Sequence, residues 1–139
     1  MAEAKDIPNL AELYGQHLLS RCFEPSLLRP IIDSDNYAVA VAALDGIIAS
    51  SATCYLAYAG SEKFGMLENV VTHPSYRRMG LAKEASLFAM KHIVSKGATH
   101  MQVMPNSMNE GLLAFYRGLG FHDRLGAYLR AELSAIPFA

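Results

Sequence analysis

The apolar positions of this chain change period from one segment to the next, and each change marks an element. Leu10, Leu13, Tyr14, His17 and Leu18 recur at helical spacing behind Asp6, a candidate N-cap, and Pro8. A first helix is therefore predicted from Asp6 to Leu19. Met1 to Lys5 carries no pattern beyond the remnant of a strand. Pro25 to Arg29 reads as a second, short helix, which Pro30 limits.

After the polar cluster Asp33-Ser34-Asp35-Asn36 the pattern becomes extended. Tyr37 to Leu44 is rich in Val and Ala, Asp45-Gly46 is a two-residue hairpin signal, and Ile47 to Tyr58 supplies the partner strand. Ala59 to Lys63 forms another turn, and Phe64 to Thr72 completes an antiparallel meander. The helical period then returns. Leu81, Ala85, Phe88, Ala89 and Ile93 form a stripe from Gly80 to Lys96, widened by Leu87, Met90 and Val94, and Gly97 closes it. A stripe this broad predicts a helix lying across a sheet face.

His100 to Met104 is a short strand. Because a helix precedes it, a right-handed crossover would set it parallel to Phe64–Thr72. Asn109 to Leu119 is a last helix with Leu112, Tyr116 and Leu119 on one face, Gly120 as its stop and Phe121 packing back. The tail, apolar at Tyr128, Leu129 and Leu133, reads as a final strand.

Composition narrows the classes. At 139 residues, 52% of them hydrophobic, the chain is expected to be one domain, residues 1–139, with a real core. A formal charge of −1 offers no field for nucleic acid or an anionic membrane. No apolar run reaches the roughly 20 residues of a membrane span, and the start carries no signal-peptide pattern. Two cysteines, Cys22 and Cys54, make no disulfide framework, so a reduced, cytoplasmic setting is expected. The histidines at 17, 73, 92, 100 and 122 lack ligand spacing, so no metal is expected.

Candidate chemistry concentrates where Phe64–Thr72 gives way to the long helix. Met66 to Ala82 reads as an apolar strand, a polar turn and a glycine-containing loop opening onto a helix N-terminus. Such a junction leaves backbone N–H groups without partners at the positive end of a helix dipole, a place suited to phosphate. Arg77 and Arg78 add cations there, or stand as surface charges of a helix cap, and Gly80 lets a ligand approach the main chain.

Arg77, Gly80 and Ala82 match the Arg/Gln-x-x-Gly-x-Gly/Ala loop of the GNAT superfamily of acetyl-CoA-dependent N-acetyltransferases, which this stretch resembles. Asn109-Glu110-Gly111-Leu112-Leu113-Ala114-Phe115-Tyr116-Arg117-Gly118-Leu119-Gly120-Phe121 closely resembles the same family's C-terminal signature. Together the resemblance covers about Tyr37 to Phe121. It implies an α/β (α+β) fold, with a mixed, mostly antiparallel sheet, helices on both faces and a cleft where two parallel strands splay apart. Acetyl-CoA would lie in that cleft. Its pantetheine arm would pair with the backbone at Val70 and Val71 and meet Asn109. Its pyrophosphate would sit on the loop through Arg78, Met79, Gly80, Leu81, Ala82 and Lys83, with Arg77 beside it.

The implied reaction passes acetyl directly to an amine. Tyr116 is the candidate acid for the departing thiolate, set against a plain aromatic core role. Glu68 is the candidate base, because a carboxylate inside an apolar strand needs a partner or a cleft; the bland reading is a solvated edge position. Strict alternation puts Glu68 on one face with Met66 and Val70, and Leu67, Asn69 and Val71 on the other. Cys54 reads as core, His73 as a turn residue, and Met79, Met104 and Met108 as packing near cofactor or core.

The leading expectation is an N-acetyltransferase acting on a primary amine of a small molecule or peptide. A CoA-binding sensor that lost transfer is the alternative, motivated by the thin N-terminus. A nucleotide-binding protein using the Gly80 loop alone fits less well, because the meander precedes the loop. Homodimerisation is common in the family the chain resembles, and nothing in the residues decides it. Arg21, Glu24, Asp123 and Arg124 border the expected acceptor site with both signs of charge, so they do not choose the amine.

Overall fold

The computed structural model describes residues 1–17, 23–124, 133–135 and 137. Its element order is α1 (Ile7–His17), α2 (Leu28–Ile32), β1 (Tyr37–Leu44), β2 (Ile47–Ala59), β3 (Glu62–Thr72), α3 (Leu81–Ser95), β4 (Met101–Val103) and α4 (Glu110–Gly118). The strands form one sheet in the order β1-β2-β3-β4. The first two pairings are antiparallel and β3–β4 is parallel, as the crossover through α3 requires. Asp45 and Gly46 hold φ of 51° and 77°, the left-handed pair that a two-residue hairpin needs.

Two cores lie on opposite faces of the sheet. On one face Ala38, Ala40, Ala52, Cys54, Leu56 and Leu67 meet Ala85, Ala89 and Ile93 of α3, with Tyr116, Leu119 and Phe121 packed alongside. On the other face Val39, Ile48 and Val71 meet Leu10, Leu13 and Tyr14 of α1 and Leu28 of α2. Alanines dominate the first face, so the α3 backbone can come close to the sheet. Burying Ile93 and Leu67 there contributes about 2 kcal/mol each.

Several expectations need correction. Asp6 does not cap α1. It belongs to a short 3-10 turn, Ala4–Asp6, and its carboxylate accepts the Glu3 N–H at 2.7 Å. Helix α1 is described to His17, and the two further residues expected in it lie outside the described residues. Pro30 does not stop the second helix. It occupies the first turn of α2, where no intrahelical donor is required, and the helix runs on to Ile32.

The α3 stripe is narrower than its apolar residues imply. Leu87, Phe88 and Val94 are exposed, while Ser86 is buried on the sheet side. The expected first strand is reduced to one ladder bond, from Ala2 N–H to Val39 C=O at 2.8 Å. Of the expected final strand, Tyr128 and Leu129 lie outside the described residues, and Leu133–Ala135 is a 3-10 turn.

Candidate active site

The site begins where β3 outruns β4. Their ladder pairs Gly65 with Met101, Met66 with Gln102 and Leu67 with Val103, then stops. The chain leaves β4 through Met104 and Pro105, and a proline has no N–H with which to continue the ladder. Glu68 to Thr72 therefore extends past the end of β4, and among the described residues no strand pairs with it on that side.

At that point β3 is also bulged. Thr53 faces Glu68 and Ser51 faces Val71, so three steps on β3 span two on β2. Asn69 absorbs the extra residue at φ 49°, a left-handed conformation asparagine tolerates better than most residues. The bulge overturns the strict alternation expected from the sequence. Leu67 and Val70 both pack on the α3 face, whereas Glu68, in register with Thr53 and Val39, belongs with the α1–α2 face. Ser50 secures the strand beyond the bulge: its buried hydroxyl donates to Val71 C=O at 2.9 Å and lies 2.8 Å from the Thr72 hydroxyl.

After β3, His73 caps the short turn Pro74–Tyr76, its Nδ1 accepting the Ser75 N–H at 3.1 Å. Arg77 is extended, Arg78 is left-handed at φ 64°, and Gly80 is left-handed at φ 80° as the N-cap of α3. A non-glycine residue held at such an angle costs on the order of 1 kcal/mol, a strain typical of ligand-binding loops. Gly80 has no side chain to cap the helix, so the first amides of α3, from Leu81 to Lys83, have no side-chain cap. A Cβ at Gly80 would meet no atom within 4 Å, so the space before the helix is open. Arg77, Arg78, Met79 and Lys83 are all exposed around it.

Met79, Met104 and Met108 are exposed rather than packed as expected. All three follow the C-terminal ends of β3 and β4, which, being parallel, lie at the same end of the sheet.

Helix α4 closes the other side. Asn109 caps it through Oδ1, which accepts the Leu112 N–H at 3.1 Å, and its side-chain NH₂ has no hydrogen-bond partner among the described residues. Gly120, at φ 99°, ends the helix, and Phe121 N–H returns to Tyr116 C=O at 3.2 Å. Tyr116 is half-buried, edge-on to Phe115 at 5.3 Å and to Phe121 at 6.1 Å between ring centroids. Burial pushes its phenol above the ordinary tyrosine value. Tyr116 and Val70 pack against the same core, so Tyr116 lies on the α3 side of the sheet and Glu68 on the α1–α2 side. The two candidate proton carriers flank β3 from opposite faces.

Cys54 is fully buried with its thiol 3.8 Å from Met101 Sδ, and burial pushes its pKa up to about 12. It is an inert core thiol, as expected. Among the described residues no group of three metal-ligating side chains occurs. No helix of the structure is long and apolar enough to cross a membrane.

Sequence reasoning missed the tyrosines of the α1–α2 face. Tyr14 shares a 2.8 Å hydrogen bond with Ser51, and Tyr37 lies across the ladder from Tyr55. Only strand pairing brings these residues together, and Tyr alternating with apolar residues reads simply as strand.

These residues build a mixed sheet whose two parallel strands part company at one end, with an uncapped helix N-terminus at that end. The chain belongs to the acetyltransferase (GNAT) family, whose model matches residues 5–121. Solved structures agree on the fold. An acetyltransferase of Trypanosoma brucei is 26% identical, with TM-score 0.75, covering 95% of this chain and 96% of that one. Glucosamine-6-phosphate N-acetyltransferase from Arabidopsis thaliana is 20% identical, with TM-score 0.76 and 94% of both chains covered. The aminoglycoside N-acetyltransferase AAC(6')-Iy, solved in complex with CoA, is 19% identical, with TM-score 0.81, covering 95% of this chain and 91% of that one. No match is found among curated proteins.

Proposed function

We propose that this chain is an N-acetyltransferase that moves acetyl from acetyl-CoA directly to a primary amine of a small molecule or peptide. The observation that carries this reading is that β3 runs on past its last β4 partner and leads, through the loop at residues 74–80, to an α3 N-terminus with no side-chain cap. A strand edge can pair with an amide-bearing arm, and free amides beside Arg77, Arg78 and Lys83 can hold a pyrophosphate. Asn109 would meet the arm through the NH₂ left free by its capping role.

Acetyl-CoA supplies an activated acyl carbon and a thiolate leaving group. The residues of the chain supply the rest. Glu68 accepts the proton the amine gives up, directly or through water. The backbone at Val70 and Val71 pairs with the pantetheine arm and so fixes where the acyl carbon lies. Tyr116, kept protonated by burial throughout the neutral range, delivers a proton to the departing sulfur. With the two groups on opposite faces of β3, proton removal and proton delivery do not compete for one space.

The test is CoA thiol release from acetyl-CoA across amines, amino acids, polyamines, aminoglycosides and short peptides. Release that depends on one amine class supports the proposal and names the acceptor. Acyl-CoA binding with no release to any amine would replace it with a CoA-binding sensor.

A further inference from the structure

We propose that the acceptor carries a second positive group besides its reacting amine, and that Tyr37 and Tyr55, beside Glu68, form the seat that recognises it. This inference rests on the transferase reading and goes beyond it by naming an acceptor class. Its basis is the α1–α2 face of the sheet, where Tyr37, Tyr55 and Met66 are successive cross-strand partners, as are Val39, Thr53 and Glu68. The Tyr37 and Tyr55 rings lie 5.3 Å apart and tilted by 33°, both only partly buried. Glu68 is exposed on the same face.

The Tyr55 hydroxyl responds to that neighbour: burial first, then the Glu68 carboxylate, hold it above its ordinary value. Asp35, exposed just before Tyr37, has no ion-pair partner among the described residues, whereas Asp33 is paired with Arg29. Two partly exposed aromatic rings with the Glu68 carboxylate beside them attract an organic cation and repel an anion.

The cation held by the rings is not the reacting one. Stabilising an ammonium opposes its deprotonation, and the amine that attacks must be neutral. Glu68 stands two residues beyond the Met66–Tyr55–Tyr37 row, about 7 Å along the strand. The Glu68 carboxylate reaches back toward the Tyr55 hydroxyl, so a compact dication can place its reacting nitrogen at Glu68 and its second charge on the adjoining rings.

The experiment compares choline with 3,3-dimethylbutan-1-ol, its neutral isostere, by NMR chemical-shift titration of the full chain without acetyl-CoA. Neither probe has an amine to acetylate, so the result does not depend on transfer. The inference expects choline to bind about tenfold more tightly. Tyr55→Phe and Tyr37→Phe should keep most of that preference, while Tyr55→Leu and Glu68→Gln should each reduce it. Equal binding of the two probes to the wild-type protein overturns the inference, as does a preference unchanged in both Glu68→Gln and Tyr55→Leu. Should Tyr55→Leu fail to fold, the wild-type comparison and Glu68→Gln decide it. If choline is preferred but no amine is acetylated, the transferase reading fails while the cation seat stands.

Discussion

Helices α3 and α4 both begin beside the cleft, and their N-termini are built in opposite ways. Helix α4 is capped from within, with Asn109 Oδ1 taking up the Leu112 amide. Helix α3 begins at a left-handed glycine with no side-chain cap, after a left-handed Arg78. Leaving out a cap costs about 1 kcal/mol, which a fold would ordinarily recover with Ser, Asp or Asn. The difference indicates a division of labour. In the proposed function the α3 end is left open for an external anion, and α4 contributes a side chain, Tyr116, held at a fixed distance from its capped start. Binding should therefore depend on α3 and chemistry on α4.

That contrast is sharpest in kinetics. Tyr116→Phe should lower kcat by about 100-fold or more and leave the KM for acetyl-CoA nearly unchanged, as removal of a proton donor used only in the transition state requires. In the wild type the alkaline loss of kcat should fall above pH 10, because burial raises the phenol above its ordinary value and activity needs the protonated form. The pH–rate profile of Tyr116→Phe should lack that limb. An equal fall in acetyl-CoA affinity in this variant would break the comparison.

On the α3 side the effects should reverse. Gly80→Asp sets a carboxylate where the anion is expected, at a left-handed φ that strains aspartate less than most side chains, and should raise the KM for acetyl-CoA about 30-fold with a smaller change in kcat. Arg77→Gln and Arg78→Gln should each raise that KM about fivefold, less at high salt. Asn109 separates its two roles. Asn109→Ala should lower stability by about 1 kcal/mol in urea unfolding, while Asn109→Asp should keep the cap and lose only the free NH₂ contact. The smallest expected effect is at Cys54, which peptide mapping should find unmodified by iodoacetamide at pH 8 in the folded protein.

The split between α3 and α4 was largely legible in the residues. The glycine loop and the Asn109 helix each advertise a boundary through local backbone chemistry, and so do Asp45-Gly46 and Gly120. Features set by packing were not legible. The bulge at Asn69 follows from pairing β3 against β2, so alternation along β3 alone placed Val70 and Val71 on the wrong faces. Phe88 fits a helical stripe by spacing, yet it is exposed, lining an open cavity beside β1 instead of packing into the core. Pro30 reads as a breaker until its position in the first turn of α2 is known. Tyr37 and Tyr55 become neighbours only through the β1–β2 ladder.

The division between the two helix ends is tested most directly by equilibrium binding of CoA and of pantetheine to the wild-type protein and to Gly80→Asp. CoA carries the pyrophosphate and pantetheine does not. The account predicts that the wild type binds CoA at least 100-fold more tightly than pantetheine, and that Gly80→Asp removes most of that difference while binding pantetheine as before. Equal affinity of the wild type for the two ligands, or a CoA preference intact in Gly80→Asp, would contradict it.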